Sequence, residues 1–122
     1  MEKSTRQKGS QAEQIAQEYL SRKGYRIVDA NWQYGHLELD IIAEDKDELV
    51  IVEVKSRYGS GFTHPVEAIS EQKMQQVIQA ADAYIIQADW DKDTRFDLIT
   101  VVFTGPDEYE LEHYEEAFNS QL

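Results

Sequence analysis

Two apolar runs separated by five charged residues constrain this chain most. Leu37 to Ala43 and Leu49 to Ser56 flank Glu44-Asp45-Lys46-Asp47-Glu48. A connection that short joins antiparallel neighbours, so the pair reads as a β-hairpin. Both runs carry ionisable residues among apolar ones: Glu38 and Asp40 in the first, Glu53 and Lys55 in the second. Removing charge from water is costly unless something compensates it, so these positions ask for a chemical reason.

With the turn centred on Lys46-Asp47, the numbers of facing residues sum to 93. That register sets Asp40 opposite Glu53 and Glu38 opposite Lys55, with Cβ atoms about 4.5–5.5 Å apart. A period of two puts Glu53 and Lys55 on one face with Ile51, and Glu38 and Asp40 on one face with Ile42. Facing carboxylates repel unless a cation joins them. Mg²⁺ or Mn²⁺ takes such oxygens readily. The bound ion polarises a phosphate oxygen and acidifies a water for attack. Lys55 then orients that water or neutralises developing charge. Read structurally, the same charges form a cross-strand ladder, Glu38 with Lys55 and Asp40 left at a sheet edge; exposed pairs of that kind are common and weak.

The rest of the chain supplies a scaffold. At 122 residues one domain is expected, spanning 1–122, with 1–8 frayed and 104–122 an acidic end. Ala12, Ile15, Ala16, Tyr19 and Leu20 mark an amphipathic helix from Gly9 to about Lys23, closed by Gly24. Tyr25 to Val28 is a short strand and Asp29-Ala30-Asn31 a loop. A glycine-rich loop, Arg57 to Pro65, leads to a second long helix that Ser70 caps, with Met74, Val77, Ile78, Ala81, Tyr84 and Ile85 as its stripe. Arg95 to Phe103 is a further strand, and Tyr109 to Tyr114 a fifth strand or an edge. The order α-β-β-β-α-β-β gives an α/β fold: a central mixed sheet flanked by two main helices.

The net charge of −12 opposes simple nucleic-acid binding. Residues 1–26 nevertheless balance to +3, so the acidity lies downstream, with ten acids from Asp89 onward against Lys92 and Arg95. A polyanion would approach the basic start and the lysines near the hairpin. Met1 to Gln11 is polar, cysteine is absent, and no run approaches the roughly 18 apolar residues of a membrane span. A cytoplasmic protein without a membrane partner is the expectation. Asp89-Trp90-Asp91-Lys92-Asp93 starts like a calcium loop but continues with Thr94 where glycine is needed.

Gly35-His36-Leu37-Glu38-Leu39-Asp40-Ile41-Ile42-Ala43 followed by Val52-Glu53-Val54-Lys55-Ser56-Arg57 resembles the YraN-like family of bacterial predicted endonucleases. That family is similar to archaeal-type Holliday junction resolvases within the PD-(D/E)XK nuclease superfamily. Gly9, Glu13-Gln14-Ile15-Ala16, Gly24-Tyr25, Asn31, Lys73 and Arg95-Phe96-Asp97 extend the likeness over roughly residues 8–103. It implies a restriction-endonuclease-like core and a Mg²⁺- or Mn²⁺-dependent endonuclease acting on DNA, with branched or damaged structures as substrates. It implies Asp40 and Glu53 as metal ligands, Glu13 completing the site, and Lys55 as catalytic lysine. Glu13 also falls beside the buried stripe of its helix, at about 100° from Ala12 on a helical wheel.

Lys73 sits in the first turn of its helix, where a cation opposes the macrodipole, and so reads as a phosphate contact. Arg57 and His64, flanking the glycine-rich loop, are further candidates for nucleic-acid binding. Cutting both strands calls for a homodimer. The alternatives are a module that binds nucleic acid or protein without turnover, and a subunit active only with an accessory protein. The chain departs from the family pattern at Ala12, where a glycine is usual, and in its acidity.

Overall fold

The computed structural model describes residues 5–62 and 64–119. One five-stranded sheet runs in the spatial order β1-β2-β3-β4-β5, which is also the chain order. The strands are β1 (Arg26–Tyr34), β2 (Leu37–Asp45), β3 (Glu48–Tyr58), β4 (Thr94–Gly105) and β5 (Glu108–Phe118). β3 and β4 are parallel and every other pair antiparallel, so the sheet is mixed as the element order required. Helix α1 (Thr5–Arg22) precedes the sheet; α2 (Pro65–Ala68) and α3 (Glu71–Ala88) make the crossover between β3 and β4.

The two main helices cover opposite faces. Ala12, Ala16 and Leu20 of α1 pack on Ile41, Ala43, Val50, Val52, Ile99 and Val101. The alanines let the helix approach the sheet closely. Met74, Val77, Ala80 and Ala81 of α3 pack on Leu37, Leu39, Ile42, Leu49, Ile51, Phe96 and Leu98. With both faces covered, the central strands β3 and β4 read as continuous apolar runs rather than alternating ones. Ser70 caps α3, its Oγ accepting from the Lys73 amide at 3.1 Å.

Several expected boundaries move. Residues 5–8 belong to α1 instead of a frayed start, and residues 1–4 lie outside the described part. β1 extends through the expected loop to Tyr34, its pairing with β2 continuing past a register shift between Ile27 and Asp29 and a left-handed φ of 53° at Asn31. The C-terminal segment is a full edge strand, β5, hydrogen-bonded along β4.

The hairpin keeps the expected register over part of its length. Asp45 pairs with Glu48, and the ladder runs to Ile41 with Val52. Past that point the amide of Val54 donates to the Asp40 side chain, Oδ2 at 2.9 Å. The face assignment also changes. Leu37 and Leu39 lie in the α3-side core, whereas Ile41 and Ala43 lie in the α1-side core. Alternation therefore slips between Leu39 and Ile41, and Glu38 does not share a face with Ile42. Asp40 occupies the slip, between the pairs Ala30–Ile41 and Trp32–Leu39 and across from Asn31, whose φ is a left-handed 53°.

Candidate metal centre

The slip at Asp40 gathers carboxylates from three elements. Oxygens of Glu13 on α1 and of Glu38 and Asp40 on β2 all lie within 4.8 Å of one another. Glu13 reaches the group from the boundary of the α1 stripe, one residue past the buried Ala12. Two neutral amides hold the acids in place. The Asn31 amide lies close enough to Glu13 to hold its carboxyl down, and Gln33 Nε2 donates to Glu38 Oε2 at 2.6 Å.

Glu53 stands apart from that trio, on the α3 side of β3. It is fully buried, at 0% exposure, and neither carboxylate oxygen has a hydrogen-bond partner. The nearest cation, Lys73 Nζ, is 3.7 Å from Oε1. Buried carboxylates in folded proteins are nearly always hydrogen-bonded, so this one is the exception in the chain's described core.

Electrostatics follow from the crowding. Burial pushes Glu13 up to about 7, and the Asp40 charge adds to the rise against the Asn31 hydrogen bond. Burial also raises Asp40, against the Val54 amide, Lys73 and Lys55. Glu53 is raised by burial and then by the Asp40 charge, with Lys73, Lys55 and a weak contact from the Asp40 backbone amide opposing; that amide does not make a well-formed hydrogen bond. Three acids forced upward within one site are groups that would bind a cation in exchange for protons. Oxygen donors of this kind suit a hard divalent ion, and the unpartnered Glu53 supplies free lone pairs.

Of the residues singled out from sequence, Glu13 and Asp40 come together directly. Glu53 is not one of the converging trio, but it lies near enough for the Asp40 charge to raise its carboxyl. Lys55 is half-buried on β3 and its charge reaches Asp40 and Glu53. Lys73 comes to Glu53 rather than standing free in solvent. Arg57 folds back on its own loop, donating from Nη1 to the Gly61 carbonyl at 3.1 Å and lying 4.5 Å over the Phe62 ring. His64 is exposed at the start of α2, where its carbonyl accepts from the Glu67 amide. Glu38, Asn31 and Gln33 were not assigned to the site from sequence. Glu38 carried a signal, its spacing of two from Asp40; the amides carried none, because their partners lie on other elements.

A second polar cluster occupies the α1 side of β4. Arg95 holds the buried Asp97 with two bonds, Nε to Oδ1 at 2.9 Å and Nη2 to Oδ2 at 3.0 Å. His113 Nε2 lies 2.7 Å from Asp97 Oδ2, and the Glu116 amide donates to Oδ1. Tyr25, Asp45, Glu48 and Glu115 add to the shell around Arg95.

A family model for "Uncharacterised protein family UPF0102" matches residues 12–101. A UPF0102 protein of Nitratidesulfovibrio vulgaris is 45% identical over 112 residues, covering 91% of this chain and 83% of its own. UPF0102 protein BF0634 of Bacteroides fragilis is 44% identical over 115 residues, covering 93% of each. Among solved structures, Archaeoglobus fulgidus Hjc, a Holliday junction resolvase from an archaeal hyperthermophile, is similar at 13% identity and a TM-score of 0.46, over 93% of this chain and 89% of that one.

Proposed function

The chain belongs to the family UPF0102, and on that premise we propose that it is a divalent-metal-dependent endonuclease hydrolysing DNA phosphodiester bonds. The observation that carries the reading is Glu53, a buried carboxylate with no well-formed hydrogen bond, whose carboxyl feels the charge of Asp40 in the converging trio Glu13, Glu38 and Asp40. A structural carboxylate would be expected to have partners; a ligand keeps its lone pairs free.

In this reading Asp40 and Glu53 hold Mg²⁺ or Mn²⁺, with Glu13 and Glu38 as further oxygen donors. The ion supplies Lewis-acid chemistry, polarising the phosphate and acidifying a water. Lys55 orients the nucleophile and offsets charge on the phosphate. Asn31 and Gln33 fix the rotamers of Glu13 and Glu38. Lys73, with Arg57 and His64, faces the substrate backbone. Branched or damaged DNA is the substrate class, and a homodimer is the assembly that would cut two strands. The family's restriction-endonuclease-like core and a cytoplasmic setting belong to the same reading.

The test is cleavage of branched, single-stranded and duplex DNA with Mn²⁺ or Mg²⁺. Cleavage abolished by Asp40→Asn and by Glu53→Gln supports the reading; equal cleavage by the variants overturns it. The net charge of −12 favours a second reading, a module that binds DNA in the presence of metal without cutting it. Metal-dependent retention of uncut DNA, without cleavage under any of these conditions, would establish that one instead.

A further inference from the structure

Lys73 is placed against two ordinary preferences at once. It lies in the first turn of α3, where a cation opposes the helix macrodipole. Its ammonium is also held 3.7 Å from a fully buried carboxylate, beyond hydrogen-bonding distance. The backbone there is fixed, because the Lys73 amide donates to the Ser70 cap. The side chain is free to move: it is 32% exposed, on a flexible four-carbon stem.

We infer that Lys73 is a resident counter-ion of Glu53, which a divalent ion must displace on entering and which then passes to a substrate phosphate. The inference rests on the metal-dependent reading above. An ion bound to Glu53 at about 2.0–2.2 Å would lie close to the ammonium, and the two like charges repel. Entry of the ion therefore requires the lysine to leave. Its exit is favoured when a phosphate offers it another anion. Metal and DNA then help one another to bind, because each removes an obstacle to the other. Lys73 is a positioning residue in this scheme. It lowers metal affinity in the free protein and keeps Glu53 compensated until substrate arrives.

The test is Mn²⁺ binding by calorimetry in anaerobic buffer at about pH 8.5, where proton competition is reduced. The proteins are unmodified, Lys73→Gln, Lys73→Arg and Glu53→Gln. Lys73→Gln should bind Mn²⁺ about 3–10-fold more tightly than the unmodified protein, Lys73→Arg should match it, and Glu53→Gln should lose binding. Lys73→Gln should also have a lower Tm without metal and a larger Mn²⁺-induced rise. Lys73→Met is the second neutral variant should Lys73→Gln fail to fold. Unchanged or weaker binding by the folded neutral variant, with normal binding by the unmodified protein, overturns this inference and leaves the metal site standing. No Mn²⁺ binding by any variant, with or without a single-stranded DNA oligonucleotide, overturns both.

Discussion

Glu53 and Asp97 lie on adjacent parallel strands, and both are at 0% exposure. They point to opposite faces of the sheet and meet opposite surroundings. Asp97 accepts from Arg95, His113 and the Glu116 amide. Burial pulls Asp97 upward, but those hydrogen bonds outweigh it and hold its carboxyl below the usual range. Glu53 accepts no well-formed hydrogen bond, only a weak contact from the Asp40 backbone amide, and its carboxyl is driven upward. Burial alone thus says little about a carboxylate; its donors decide whether it holds the fold together or remains available for chemistry.

The difference is open to attack from both sides. Asp97→Ala should have the largest effect. It leaves Arg95 buried with its main partner gone, which costs about 3–5 kcal/mol, and Glu48 and Glu115 pull the value toward the lower end. Urea denaturation measures it, and a loss well under 1 kcal/mol would remove the contrast. Glu53→Met should act in the opposite direction. Replacing a buried acid whose one counter-ion, Lys73, stands 3.7 Å away by an apolar side chain of similar volume should stabilise the metal-free protein by about 1–3 kcal/mol, while abolishing Mn²⁺ binding. A destabilised variant would mean that Glu53 is a structural residue.

Titration should separate the two regions more gently. The raised carboxyls bind protons in the folded state that the unfolded chain releases near about pH 4.3. Their contribution to stability is full below that value and is lost as pH rises through the folded value, about 7 for Glu13. Asp97 behaves in the reverse sense: its contribution is present above the unfolded value near about 3.9 and is lost as pH falls through its depressed one. The metal-free protein should therefore lose stability between about pH 5 and 8. Glu53→Met should flatten that slope, and Mn²⁺ should offset the loss at high pH. Thermal melts across the range measure all three; a metal-free protein that gains stability over this interval would contradict the upward shifts. The smallest effect is expected at an exposed ion pair. Arg26 and Glu44 meet at 2.6 Å, yet the Arg26 side chain is 66% exposed, so Arg26→Ala should cost under about 0.5 kcal/mol by the same urea assay.

The hairpin and its turn were legible because they rest on short-range rules. A five-residue charged connection fixes antiparallel pairing, and Lys46-Asp47 fixes the register from Asp45–Glu48 to Ile41–Val52. The α1 stripe and the Ser70 cap were legible for the same reason. β1 was read too short because Asp29-Ala30-Asn31 looks like a loop in sequence, whereas pairing with β2 carries the strand through it despite the left-handed φ at Asn31. The acidic C-terminal segment was read as a tail with an uncertain strand. Its strand character comes from pairing with β4, and His113 and Glu115 from it close the shell around Asp97 and Arg95.

By itself the sequence determined the element order, the phase of each main helix, and the placement of Asp40, Glu53 and Lys55 on two paired strands. These follow from periodicities of two and 3.6 residues and from turn length, which are local. The tertiary structure alone decided that alternation slips at Asp40, that Glu38 joins Glu13 and Asp40, and that Lys73 comes to Glu53 across the α3 face. It alone gave Asp97 its donors and left Glu53 without a well-formed hydrogen bond. Each of these depends on residues far apart in the chain meeting across a sheet face, and no local pattern specifies which side chain arrives there.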